Sequence, residues 1–215
     1  MTDKTRHLSK TTGAPPRAWQ RMLSGRRLDL LAPSPSDIEI EDIAHGLARV
    51  ARWNGQTLGT HALSVAQHVV IVEEIFFDIE PESPRSWRLA ALLHDAPEYV
   101  VGDLISPFKT AIGLDYKALE LKLLAAIHAR FGLPSELPED VNVAIKCADR
   151  IAAYYEATTL AGFDIDEAHR FFGEPSGLSE ALRMRLETLT AEPVAVAQDC
   201  FLRRFRELNT SSNNR

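Results

Sequence analysis

Cysteine is scarce. Cys147 and Cys200 stand far apart and in no metal-type spacing, which excludes a cysteine-based metal site and fits a reducing cytoplasm. The amino-terminal stretch lacks the charged, apolar and small-residue order of a signal peptide, so a cytoplasmic protein is expected. Long hydrophobic runs are missing as well. The most apolar stretches, such as Val69 to Val72 and Leu89 to Leu93, are broken by Gln, Glu, His or Asp long before a bilayer-spanning length, which argues against a membrane protein. There is no excess of positive charge: 24 Lys and Arg face 30 Asp and Glu, a formal net charge of -6. Such a field does not attract a phosphate backbone or an anionic membrane, so neither long nucleic acid nor membrane is expected as a partner. Internal repeats, low-complexity blocks and convincing alternating strands are also absent. The nearest thing to a strand is Asp37 to Asp42, where Ile38 and Ile40 alternate in a short extended piece.

What is present is 215 residues with 45% hydrophobic and 25% charged composition, the profile of one compact domain able to bury a sizeable core. Residues 1–35, rich in Thr, Ser, Pro and Arg, read as an arm with one short helix around Trp19 to Met22; 36–208 read as a helical domain and 209–215 as a disordered tail. Ile43, Leu47 and Val50 recur at helical spacing from Glu41 up to the turn at Asn54-Gly55. A second helix, Ala62 to Asp78, is apolar around much of its circumference and belongs in a core. Ser83-Pro84 opens a third, which runs to the neighbourhood of Pro97. Asp103 to Lys109 reads as a loop. Helices then follow over Leu114 to Phe131, Asp140 to Leu160, 176–190 and 193–208. The fold class is all-α, a single-domain helical bundle, which offers no sheet edge for a Rossmann-type site.

Histidine and aspartate are the candidates for chemistry. Seven histidines and the chain's aspartates produce about 0.4 His-Asp dipeptides by chance, so His94-Asp95 is a weak motif alone. Its position at the end of an apolar helix matters more, because an unpaired charge there is costly. A capping Asp95 and a carbonyl-bonded His94 explain the dipeptide equally well. His68 lies amid aliphatic residues in the second helix, where a satisfied core histidine is the ordinary explanation. His61 competes with it. The two are about 10.5 Å apart along a helix, too far for both to reach one ion through bonds of about 2 Å. His68, held mid-helix by apolar packing, is the better ligand, since His61 follows Gly59-Thr60 at the helix start. Asp149 is a third candidate, one acid in an otherwise apolar stripe, with Arg150 pointing about 100° away. Two His and two Asp on three buried helices form a mixed nitrogen and oxygen set suited to one divalent ion with open positions.

His68, then His94-Asp95, then Asp149, all on helices, resembles the HD-domain metal-dependent phosphohydrolase superfamily. Arg52-Trp53, Gln67-His68, His94-Asp-Ala-Pro-Glu98 with Gly102-Asp103, and Asp149-Arg-Ile-Ala-Ala-Tyr154 narrow the likeness to its bacterial 5′-deoxynucleotidase branch. The resemblance covers roughly Leu47 to Leu160, and the amino-terminal arm and carboxy-terminal helices lie beyond it. It implies that His68, His94, Asp95 and Asp149 hold one divalent ion, with Mn, Co, Fe, Ni, Zn and Mg all admissible. It further implies phosphate release from nucleoside 5′-monophosphates, deoxynucleotides among them, by attack of a metal-bound water. Glu98 is then the acid/base, joined in the catalytic set by Asp103, which accepts a hydrogen bond from sugar or water. Arg52 grips the phosphate, Trp53 walls the sugar pocket and Lys109 approaches the substrate. A homodimer is the implied assembly. The same resemblance admits other nucleotides (a triphosphate, a cyclic nucleotide or guanosine tetraphosphate), and a nucleotide-sensing module without chemistry is the reading from another class.

Overall fold

A computed structural model describes residues 18–103 and 114–210 and is all-α apart from one small hairpin. Helix α2 (Val65–Ile79) is its axis. Val65, Val69, Val72, Ile75 and Phe76 are almost wholly enclosed because α1 (Ile40–Leu47), α3 (Arg85–Leu92), α6 (Glu139–Thr159) and α9 (Val194–Leu208) all pack on this helix. Enclosing each such side chain contributes roughly 1.5–3 kcal/mol, so α2 is where the core's stability concentrates. Ser64 starts the helix by accepting a bond from the Gln67 backbone, and Gln67 clamps the segment leading into α9 through Thr190 and Glu192. The remaining helices are α4 (Glu98–Val101), α5 (Leu114–Arg130), α7 (Ile165–Phe172) and α8 (Glu180–Leu186).

Buried charge also ties helices together. The Glu73 carboxylate, fully enclosed on α2, meets Arg88 of α3 at 2.6 Å and Arg204 of α9 at 3.0 Å, locking three helices together. Burial nonetheless pushes its pKa above the usual carboxylate range against the pull of both guanidinium groups.

Several expectations are corrected. Trp19 to Met22 is not a helix: Trp19–Arg21 and Arg27–Asp29 pair as antiparallel β1 and β2. Gly25, at φ +88°, makes the turn that a helix forbids. Leu28 enters the core, and Ser24 binds Asp42 of α1 through its backbone N–H and hydroxyl. Asp37 to Asp42 is not a strand either, since a 3-10 turn (Pro35–Asp37) leads through extended Ile38 and Glu39 into α1. That helix stops at Leu47, because the backbone at 50–52 is needed to pair with 63–65. The third helix ends at Leu92, leaving His94-Asp95 in the turn before α4. Helix α7, capped by Asp164 on the Glu167 backbone, is an element the periodicity did not reveal, and α8 is shorter than expected. Among the described residues no helix is long and apolar enough to cross a membrane.

Helix α4 is seated by a close backbone approach. A Cβ placed on Gly46 of α1 would lie 2.7 Å from the Tyr99 Cβ and 2.9 Å from the Tyr99 carbonyl oxygen. Helix propensity alone favours alanine there by about 1 kcal/mol. Overpacking costs about 1–3 kcal/mol and opposes it. Gly46→Ala is therefore expected to lower the melting temperature, and a rise would show that α4 does not bear on α1 as described.

His128 offers a pH-dependent contribution. Its ring is 2% exposed, with Nδ1 3.1 Å from the Pro134 carbonyl, and burial pushes its pKa below the ordinary imidazole value despite that bond. The unfolded chain therefore takes up this proton more readily, so the contribution is complete above the unfolded value of about 6.5 and is lost as pH falls through the window below it. Urea titrations from pH 7 to pH 5 are expected to show a smaller acid loss in His128→Gln than in the parent.

Candidate metal centre

Local backbone geometry aims each side chain. His68 lies one turn into α2 with no exposure, facing α6. His94 follows α3, where its backbone N–H bonds the Ala91 carbonyl and its ring Nδ1 returns to the same oxygen at 2.8 Å. The two imidazole rings stand 5.5 Å apart. Asp149 and Glu156 are seven residues apart on α6, so they share one face of it.

Ligand atoms of His68, His94 and Asp149 all lie within 4.8 Å of one another and form a group able to hold a metal ion. His68 Nε2 is 3.2 Å from an Asp149 oxygen and 3.5 Å from Asp95 Oδ2, which itself lies 3.2 Å from His94 Nε2. The donor set fits a cation on a structural ground. The Ala91 carbonyl can only accept, so His94 Nδ1 carries a proton, and His68 Nδ1 faces the Glu156 carboxylate at 2.5 Å. Both Nε2 atoms are buried without a hydrogen bond and turn toward carboxylate oxygens. In neutral rings these nitrogens present lone pairs, the form in which imidazole binds a metal.

Without an ion, the carboxylates favour protonated rings, so positive charge is drawn to the place a cation would take. Burial and nearby Arg52 oppose charge on His68, yet Glu156, Asp149 and Asp95 hold its pKa well above the ordinary value. Burial likewise opposes charge on His94, which Asp95 overcomes. The carboxyls of Asp95 and Asp149 are held below their usual range against burial, Asp95 chiefly by His94 and Asp149 by His68.

Arg52 and Trp53 reach the centre by a strained route. The Arg52 backbone N–H bonds the Leu63 carbonyl at 2.8 Å, tying this segment to the start of α2. Trp53 (φ 56°) and Asn54 (φ 52°) then take left-handed conformations that bulky residues rarely adopt. Glu156, with no exposure, gathers the segment: its Oε2 accepts from Arg52 Nη2 at 3.1 Å and from Trp53 Nε1 at 3.0 Å. Phe163 and Phe172 flank the indole at 5.6 and 5.9 Å. Arg52 Nη1 also faces Asp103 at 3.7 Å. Burial opposes the charge on Arg52 but Glu156 and then Asp103 raise its pKa; Glu156, opposed by burial too, is held far below the carboxylate range by Arg52 and His68.

Glu98 opens α4, is buried, and bonds the Asp95 carbonyl through its backbone N–H at 3.0 Å. His61 is exposed before α2 and takes no part in the group. Lys109 lies outside the described residues. Sequence reasoning missed Glu156. The available signal was its spacing from Asp149, a second acid on the same stripe of α6 among Ala152, Ala153 and Ala157.

No family model matches the chain. It is similar to RCAP_rcc00048 of Rhodobacter capsulatus, an uncharacterized protein, with 61% identity over 171 residues that cover 79% of this chain and 87% of that one. It is also similar to the uncharacterized protein YfdR of Escherichia coli, with 32% identity over 124 residues, 58% of this chain and 64% of that one.

The left-handed backbone at Asn54 predicts a sharp residue preference. Asn54→Val is expected to destabilise the protein by about 1–2 kcal/mol. Asn54→Gly is expected to be near neutral, and equal denaturation midpoints for the two variants would contradict the backbone description.

Proposed function

The chain belongs to one family with RCAP_rcc00048 of Rhodobacter capsulatus, and for it we propose metal-dependent hydrolysis of a phosphate monoester, with nucleoside 5′-monophosphates, deoxynucleotides included, as substrates. Membership of the HD-domain phosphohydrolase superfamily is part of this reading. The observation that carries it is the pair of buried, unbonded Nε2 atoms of His68 and His94 facing carboxylates beside an arginine. His68, His94, Asp95 and Asp149 would hold one divalent ion of the first transition row, or magnesium. When bound, such an ion acidifies a water and draws charge from a phosphoryl oxygen.

The chain's own groups do the rest. Arg52 offers a planar guanidinium for two phosphate oxygens, and Glu156 holds its plane. In the hydrolysis a water oxygen bonds to phosphorus, the bond from phosphorus to the sugar oxygen breaks, and one water proton ends on that leaving oxygen. Glu98 carries this proton, and Asp103 accepts a hydrogen bond from water or sugar. Trp53, flanked by Phe163 and met edge-on by Phe172, forms the sugar wall and disfavours an added 2′-hydroxyl.

Phosphate and pyrophosphate release from a nucleotide panel tests the reading. Deoxynucleoside monophosphates are expected to yield phosphate, activity is expected to stop on chelation and to return with Mn or Co, and Asp95→Ala is expected to lose more than the roughly 100-fold typical of outer-shell changes. Glu98→Gln is expected to lower kcat about 10²–10⁴-fold. Full activity after chelation would sink the proposal. Pyrophosphate release would move it to triphosphates or guanosine tetraphosphate, turnover of a cyclic substrate to cyclic nucleotides, and tight binding without product to a sensing module.

A further inference from the structure

We propose that Glu156 is the positioning residue that couples the metal centre to the Arg52–Trp53 segment, so that a cation and a phosphate group bind cooperatively. The inference rests on the hydrolase reading and adds a linkage that the ligand set alone does not contain.

One carboxylate serves two halves of the site. Its Oε1 takes His68 Nδ1 at 2.5 Å, and its Oε2 takes Arg52 Nη2 at 3.1 Å and Trp53 Nε1 at 3.0 Å. The carboxylate is wholly enclosed, so water does not substitute for any of these donors. The segment it restrains is the one whose backbone is left-handed at Trp53 and Asn54, a conformation that persists only where surrounding contacts impose it.

The coupling is chemical as well as mechanical. A cation held by His68 would withdraw density from its ring and make Nδ1–H a stronger donor, which would fix the plane of Glu156. That plane sets where Oε2 meets the guanidinium and the indole. In the other direction, a phosphate group on Arg52 immobilises the guanidinium, hence Glu156, hence His68. Linkage makes the two effects equal in binding free energy.

Calorimetric titration of metal-free full-length protein with Zn2+, with and without the non-hydrolysable methylphosphonate, tests this. The parent is expected to bind Zn2+ at least about 5-fold more tightly when methylphosphonate is present. In Glu156→Gln, Zn2+ affinity is expected to fall about 10–100-fold and the effect of methylphosphonate to vanish. The Trp53 indole 15N–1H resonance, identified by its loss in Trp53→Phe, is expected to shift on Zn2+ addition in the parent and to stay still in Glu156→Gln. Unchanged Zn2+ affinity with intact methylphosphonate dependence in Glu156→Gln overturns the inference, as does a parent that binds Zn2+ indifferently to methylphosphonate; in both cases the metal reading survives. A parent that binds neither Zn2+ nor Mn2+ takes both down. Circular dichroism checks the fold of the variant. If Glu156→Gln does not fold, Trp53→Phe decides: it removes one donor from Oε2 and is expected to weaken the coupling while leaving Zn2+ affinity within about two-fold, and parental coupling in it overturns the proposal.

Discussion

The bond between Glu156 and His68, made where neither side chain touches solvent, is the constraint the rest of the site accommodates. An ionisable pair inside an apolar bundle is tolerable only when each remaining donor and acceptor has a partner. Glu156 meets that demand by taking Arg52 and Trp53 on its second oxygen. His68 leaves that demand open at Nε2, which faces the carboxylates of Asp95 and Asp149 without a hydrogen bond, the place where a shared positive charge is needed. Arg52, Trp53, Asp95 and Asp149 are therefore gathered around one buried imidazole, and their separate places in the chain converge for that reason.

The scaffold keeps this arrangement apart from the ionic lock that holds the helices. Glu73 binds Arg88 and Arg204 five residues beyond His68 on the same central helix, yet it joins α2 to α3 and α9. Glu156 joins α2 to α6 and to the 50–53 segment. One buried carboxylate thus fastens helices while the other fastens a site. The close passage of Tyr99 over Gly46 completes the frame by seating α4, and with it Glu98, against α1. The glycine at this helix position is thereby explained by a backbone contact rather than by helix propensity, which opposes glycine there.

Particular residues show why some features were legible and others hidden. The apolar circumference of α2 announced a buried central helix, but its start was read at Ala62, whereas Ser64 caps it and the helix opens at Val65. His68 was separable from His61 by its setting, since packing fixes one rotamer and a Gly-Thr lead-in fixes none. The hairpin at Trp19 was hidden because two three-residue strands carry too little periodicity, and Leu28 earns its place only by entering the distant core. Helix α7 was overlooked although Asp164 and Glu167 carry a capping pattern. Trp53 was read as a sugar wall, and nothing local revealed that its backbone is left-handed.

By itself the sequence determined the all-α class, the buried setting of the His68 helix and the candidacy of His68, His94 and Asp149 for a cation, because periodicity and residue chemistry are local properties. Tertiary structure alone decided that His68, His94 and Asp149 converge, that Asp95 stands between the imidazoles, and that Glu156 ties the centre to Arg52. Those relations depend on the angle at which α6 crosses α2 and on the turn after α3. Both follow from packing between segments far apart in the chain, which no local pattern encodes.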